Sequence, residues 1–482
     1  MAETKNETNE KTIKIALVSL QKDTERVPPI GLVYLATQLN SKLKIPKKNI
    51  RIIDRNFDIP ENEIREFHPD IVGISAMTIH YLEAIKLSQK IKEDKNIPVI
   101  LGGVHISTLP KSLKKCFDVG VIGEGEETFS ELIISYIKKN KFSFSELKKI
   151  KNIVYFKDNS IHITFKRAPL VLDDLPFPDF TFVNKNYFKE EEIPGILDVG
   201  IKYPILTARG CPYKCIFCST SHFWGKTRFH SPDYIAKLIK KAIEDHNADY
   251  IKVMDDLFTV SPTRLEQIKI ALEKQGVLSK IKGIECQPRA NLVTEELCRK
   301  MKELHVKIVS FGFESGSDKI LNWLKQGTVT VEMNKRALIL SKKYGFTVYG
   351  SLIFGSPGET IEDMKKTLQF IDFAIKNKAD YIWNFVATPY PGTLFWQIAE
   401  DLGKLKNAKL DLHNIENPLL LDESVSKQEF KKIFLCARKR LRILRFRLIK
   451  NFLIKNPKKT LKLFLKEPAY YFERTVKQIY KQ

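Results

Sequence analysis

The sequence predicts an α/β chain: a doubly wound parallel sheet, then a partial (β/α)6 barrel, then a helical C-terminal extension. Three observations carry this. Short β-branched runs alternate with amphipathic segments from Lys14 onward, which is the pattern of strands crossing over through helices. The alternation comes in two series, divided by the Pro-punctuated stretch "APLVLDDLPFPDF" at 168–180. Past about residue 400 the strand candidates end and helical spacing takes over.

Residues 1–10 are polar, lack the apolar core of a secretory signal, and are expected to be a disordered leader. Strand candidates follow at "IKIALVSL", "NIRIID", "IVGISAM", "IPVILGG" and "VGVIG", with helical spacing between them in "LVYLATQLNSKL" and "YLEAIKLSQKIKED". This delimits a first domain at 11–145 and an expected linker at 146–200. The second series, 201–400, starts at "YPILTARG" and continues through "YIKVMDD", "KGIECQ", "VKIVSFGFE", "FTVYGSLIFG" and "DYIWNFVA". Six βα units suit a partial barrel, whose chemistry belongs at the C-terminal strand ends. Residues 401–482 form the basic helical region.

Directly after the first barrel strand stands "RGCPYKCIFC". It gathers Cys211, Cys215 and Cys218, three of seven cysteines, at C-x3-C-x2-C spacing. A zinc site would need His222 or a distant residue as fourth ligand. A four-iron cluster held by three thiolates instead leaves one iron with an open position. Cys286, on a barrel strand, reads as a small core residue.

The loop resembles the radical S-adenosylmethionine (SAM) superfamily signature C-x3-C-x-aromatic-C, with Phe217 at the aromatic position, which by that resemblance neighbours the SAM adenine. The resemblance implies a [4Fe-4S] cluster on the three cysteines, with SAM on the open iron. It implies reductive SAM cleavage to a 5′-deoxyadenosyl radical. Later strand ends agree in order: Asp255 and Asp256 resemble the acidic contact to the SAM amine, and Gln287 and Arg289 the carboxylate contact. Glu314 and Ser315 resemble the ribose motif, with Gly312 and Gly316 for close approach, and Gly355 the adenine-side glycine. "TPYPGT" at 388–393 closes the sixth strand in the style of one subgroup.

The first domain lacks the G-x-G-x-x-G of a nicotinamide site. Instead, stretches rich in glycine and small residues are expected at strand ends: around Gly31; Ser75 to Thr78, with Met77; Gly102 and Gly103; and Gly123, Glu124, Gly125 and Glu126. This resembles the cobalamin-binding domain fused to many radical SAM enzymes. No D-x-H-x-x-G follows the first strand, so no protein imidazole is expected below the cobalt, and His105 reads as a satisfied loop histidine. The whole, over about 13–400, resembles cobalamin-dependent radical SAM enzymes. That implies methyl transfer from methylcobalamin to a substrate carbon, with a magnesium-protoporphyrin ester cyclase type of reaction as the alternative. A tRNA methylthiotransferase would carry three more cysteines in its N-terminal domain, where this chain has only Cys116, and ranks last.

The bulk properties fit an enzyme of the reducing cytoplasm: 43% hydrophobic, 28% charged, cysteines unpaired in pattern, and no apolar run of bilayer length. Its implied partners are a small-molecule or lipid-like substrate and an external electron donor such as flavodoxin or ferredoxin. The net charge of +23 sits mostly in the tail, where Ser424–Gln482 holds 18 Lys/Arg against 3 Asp/Glu. There Phe434, Ala437, Leu441, Leu444, Leu448 and Phe452 recur at helical spacing. The first reading is a helical cap on the barrel. Peripheral docking on anionic lipid at the membrane's inner face is the functional alternative, and nucleic-acid binding comes last.

Overall fold

The computed structural model describes residues 13–22, 27–193, 198–405 and 418–455; the leader at 1–10 and the basic stretch at 456–482 lie outside them. The chain divides into two compact units, Met1–Tyr187 and Phe188–Gln482.

The first unit is built on β1 (Ile15–Ser19), β2 (Ile50–Asp54), β3 (Ile71–Ser75), β4 (Val99–Gly102), β5 (Val119–Val121), β6 (Ile153–Lys157) and β7 (Ser160–Ile163). Their order in the sheet is β2-β1-β3-β4-β5-β6-β7. The first five are parallel, and all five residues of β1 are buried, as a sheet covered on both faces requires. Strand order reverses around β1 and β3, which opens a crevice at their C-terminal ends. The expected linker at 146–200 differs from expectation. Its first part is the hairpin β6–β7, which extends the sheet antiparallel from β5. The turn is Asp158–Asn159, both at positive φ (48° and 62°), the backbone that a two-residue hairpin loop needs.

The second unit carries six parallel barrel strands: Lys202–Ile205, Tyr250–Val253, Gly283–Cys286, Val306–Glu314, Thr347–Phe354 and Tyr381–Val386. They lie in sequence order in one open sheet. Six of the helices around it start from a Ser or Thr whose side-chain oxygen accepts a first-turn N–H: Ser231, Ser261, Thr294, Thr330, Thr360 and Thr393. Each such cap is worth about 1 kcal/mol. Alternation along the strands sends Val348, Leu352 and Phe354 toward the helices, and Tyr349, Ser351 and Ile353 into the lumen. Near the bottom of the lumen Lys202 and Lys252 stand 3.2 and 3.6 Å from the Glu285 carboxylate, and Tyr250 and Ile308 pack with Tyr349.

The helix Lys427–Lys455 packs on this barrel, as the cap reading expects. Phe430, Phe434, Ala437, Leu441 and Leu444 are buried, and Phe434 meets Phe354 edge-on at 5.7 Å. Arg440 and Arg447 donate to the carbonyls of Leu368 and Ile375, each at 3.2 Å. The side chains of Leu448 and Phe452 lie outside the described residues. No described helix is long and apolar enough to cross a membrane.

Candidate functional site

The cysteine loop is pinned from two sides of the barrel mouth. Ile216 N–H donates to the Leu324 carbonyl at 3.1 Å, and Leu394 N–H donates to the Ile216 carbonyl at 3.0 Å. Cys218 N–H closes a tight turn on the Cys215 carbonyl at 3.0 Å. All three thiols are half-buried and unpaired, and burial pushes those of Cys211 and Cys218 up. Arg289 Nη1 donates to Cys215 Sγ at 3.1 Å, a cation placed where a thiolate is wanted. Among the described residues no three His, Cys, Asp or Glu groups converge on a single ion. An iron–sulfur cluster takes one thiolate per iron, so its ligands stand apart, and three thiols on one anchored loop fit it.

The two aspartates after the second strand separate. Asp256 is exposed and accepts from Thr220 Oγ1 at 2.8 Å, two residues past Cys218. Asp255 is buried and turned the other way. It accepts from Thr207 N–H at 2.6 Å, Ala208 N–H at 3.1 Å and the Thr207 hydroxyl. Burial raises its carboxyl to about 7. Asp255 therefore anchors the entry to the cysteine loop and is not free for a SAM amine, which corrects the sequence expectation.

On the third strand end Gln287 is exposed, and Arg289 is held by three neighbours. Besides Cys215 it reaches Thr328 Oγ1 at 2.6 Å and stacks 3.8 Å from the Tyr213 ring centre, while its Nε is buried without a partner. A guanidinium so fixed can still offer a donor to a carboxylate.

The fourth strand ends in a register shift between Gly312 and Glu314. Glu314 has φ +62°, a strained value for a bulky residue, and the shift re-aims its side chain. Its carboxylate receives Lys325 Nζ at 2.9 Å, both side chains being 7% exposed. Lys325 Nζ also lies 5.2 Å from the centre of the Phe217 ring. Phe217 itself packs toward Phe395 and the apolar cluster behind the loop. Ser315 departs from expectation: it is fully buried, shares a 3.2 Å hydrogen bond with Thr367 Oγ1 and accepts Ser317 N–H, so no ribose contact is open to it. Gly316 is required by packing, since a Cβ would fall 2.4 Å from the Lys366 carbonyl. Gly355 N–H donates to Glu359 Oε2 at 2.6 Å, and a Cβ there would meet the Phe430 ring at 2.9 Å. That glycine is thus explained by the C-terminal helix instead of a ligand.

In the first unit the loops after β3 and β4 are tied together. Ala76 N–H donates to the Gly102 carbonyl at 3.0 Å, and His105 N–H to the Ala76 carbonyl at 3.2 Å. Gly103 adopts φ +96°, with the Ala76 carbonyl 2.6 Å from where a Cβ would stand. Gly31 faces open space, and Gly123 N–H is taken by Ser107 Oγ at 2.8 Å. Gly125 approaches Leu35. Ser75 ends β3 half-buried, in register with Gly102. Met77, Ile79 and Leu82 expose 37, 39 and 46% of their surface beside it, an apolar ledge at the strand ends. Thr78 and Glu126 are buried, and Glu124 Oε2 accepts Leu170 N–H at 3.3 Å. The Thr78 hydroxyl is bonded to His105 Nδ1 at 3.2 Å, while His105 Nε2 meets Ser112 Oγ at 3.1 Å. Buried, stacked on Tyr81 and lowered to about 4, His105 is satisfied, but in the short helix Val104–Thr108 and the core instead of the expected loop. A cavity of 450 Å³ between helices Pro60–Phe67 and Tyr81–Lys95 involves none of these residues.

Sequence reasoning missed Lys325, Tyr213 and His80. Lys325 follows Leu321 by one turn on the buried side of helix Asp318–Lys325, the one signal that could have singled it out. His80 sits at the β3 edge with Nδ1 3.6 Å from Glu83, which also pairs with Arg55.

Comparison with known proteins agrees with this geometry. Residues 205–371 match the radical SAM superfamily, and residues 17–133 match the B12 binding domain. An uncharacterized methyltransferase of Pyrococcus horikoshii is 31% identical over 77% of this chain and 78% of its own. The anaerobic magnesium-protoporphyrin IX monomethyl ester cyclase of Cereibacter sphaeroides is 26% identical over 83% of this chain and 65% of its own. Among solved structures, the radical SAM methyltransferase TsrM of Kitasatospora setae, with cobalamin and a [4Fe-4S] cluster bound, superposes with TM-score 0.65 at 18% identity, covering 88% and 82% of the two chains. The cobalamin-dependent radical enzyme OxsB gives TM-score 0.69 at 17% identity, covering 89% and 67%.

Proposed function

Because the chain belongs to the radical SAM superfamily and carries its B12-binding domain ahead of the barrel, we propose that it is a cobalamin-dependent methyltransferase acting on carbon. The observation that carries this is the anchored loop with Cys211, Cys215 and Cys218, on a barrel that follows a domain whose strand ends expose backbone and an apolar ledge. Bound there, a [4Fe-4S] cluster, SAM and cobalamin would supply a 5′-deoxyadenosyl radical and a transferable methyl group. The chain's own part is to hold and orient. The three thiolates would hold the cluster, with Asp256, Gln287 and Arg289 offering charge and hydrogen bonds to the polar end of SAM. Glu314, fixed by Lys325, would face its ribose, and Phe217 would stand near its adenine. In the first unit Gly31, Gly102, Gly103, Gly123 and Gly125 would let a corrin and its tail lie against backbone, with Met77 offering apolar surface and the Ser75 hydroxyl a hydrogen bond. The substrate is a small molecule, and the electron comes from an external reductant.

Anaerobic reconstitution with iron, sulfide and hydroxocobalamin, then incubation with SAM and dithionite as the electron source and an assay for 5′-deoxyadenosine, tests the first half. SAM cleavage is expected, and its loss in Cys215→Ala is expected to be complete. Cleavage retained by Cys215→Ala would move the cluster elsewhere. The cyclase relative supports a second reading, in which the same radical closes a ring and no methyl moves. Methyl-labelled SAM separates the two, since only methyl transfer puts the label into product.

A further inference from the structure

We infer that the outer face of helix Lys427–Lys455 docks on an anionic phospholipid surface. Its inner face is accounted for by the barrel, but its outer face is not. Between Lys432 and Arg447 the exposed residues are Lys432, Leu435, Lys439, Arg442, Ile443 and Phe446. Three are cations, three are large apolar side chains, and no carboxylate is among them. Leu435, Ile443 and Phe446 expose 44, 50 and 54% of their surface. At 100° per residue all six fall within about a third of the helix circumference.

The neighbouring helix Ile361–Lys376 shows what an ordinary outer face of this unit looks like. Its exposed residues are Glu362, Lys365, Lys366, Gln369, Asp372 and Lys376, mixed in sign and without an apolar side chain. A face that interleaves cations with bulky apolar groups suits neither water nor a neutral protein surface. It matches the headgroup region of an anionic bilayer, where side chains such as Phe446 enter the acyl boundary and the cations meet phosphates. The chain continues past this helix with the same sign of charge: residues 456–482 hold seven Lys/Arg against two Glu.

Flotation of the full-length protein with vesicles tests this, comparing phosphatidylcholine alone with phosphatidylcholine containing phosphatidylglycerol. The protein is expected to float with the anionic vesicles, to stay behind with the neutral ones, and to be released by high salt. Leu435→Ser/Ile443→Ser/Phe446→Ser is expected to weaken flotation at least about tenfold with an unchanged circular dichroism spectrum. Lys432→Glu/Lys439→Glu/Arg442→Glu is expected to do the same, and decides the matter if the apolar variant fails to fold. Absence of flotation with anionic vesicles, flotation indifferent to both variants, or retention on RNA without retention on vesicles would each overturn the proposal.

Discussion

The parallel strands of the two main sheets use their C-terminal ends in opposite ways. In the first unit the edge is made of backbone: Ala76, Gly102 and His105 exchange main-chain hydrogen bonds, and the side chains left exposed beside them are Met77, Ile79 and Leu82. In the second unit the edge is made of charge: Arg289, Glu314 and Lys325 are each fixed by neighbours, two of them almost wholly buried. A broad, largely apolar ligand is best met by flat backbone and a ledge. A small zwitterion needs preorganised ions, which act strongly only where water is excluded. The contrast, backbone and apolar side chains at one edge and fixed ions at the other, is read from the chain's own atoms.

Lys325→Met is the sharpest way to break the charged edge. It leaves the Glu314 carboxylate buried and unpaired, so a loss of about 3–5 kcal/mol of barrel stability is expected in chemical denaturation, along with SAM cleavage. Adding Glu314→Gln to Lys325→Met is expected to restore much of the stability but not the cleavage, which separates folding from binding. Gly103→Val attacks the backbone edge instead. A Cβ there collides with the Ala76 carbonyl at an unfavourable φ, so cobalamin retention on gel filtration is expected to fall at least about tenfold. Deoxyadenosine formation in the barrel is expected to survive it. If one variant abolished both, the two edges would not be separable.

The smallest effect concerns pH. Glu359 is fully buried, its Oε1 lacks a partner, and burial raises its carboxyl to about 8 from an ordinary 4.5. The folded state then keeps a proton that the unfolded chain has released, so stability is full below the unfolded pKa and falls as pH rises toward about 8. Glu359→Gln keeps an acceptor for the Gly355 and Ser356 N–H groups and removes the titration. Denaturation midpoints that flatten across that window are expected, whereas an unchanged slope would assign the pH dependence to another group.

These residues also show what a sequence can and cannot carry. The barrel strands and the five parallel strands were legible because each is a short apolar run with its own boundaries. The hairpin Ile153–Ile163 starts on an apolar run of its own, "IVYF", but it lies outside the strand–helix alternation and next to the Pro-rich stretch, so the sequence alone does not separate it from a linker. "DD" at 255–256 announces an acidic strand end, yet which carboxylate turns inward depends on strand register, and that is set by Thr207 and Ala208 nearly fifty residues earlier. Ser315 looked available because its partner, Thr367, lies on a helix 52 residues away. Lys325 was missed for the same reason: alone it is one lysine among many, and only Glu314 and Phe217 give it meaning.

The six barrel strands run in a single file whose first and last members, Lys202–Ile205 and Tyr381–Val386, do not pair with each other. A ring of eight would fix the bore by its strand count and admit guests only from above. A crescent has no fixed bore. Its outermost strands keep a free edge, so the segments that lie against that edge can differ in sequence without altering the strand that leads into the cysteine loop.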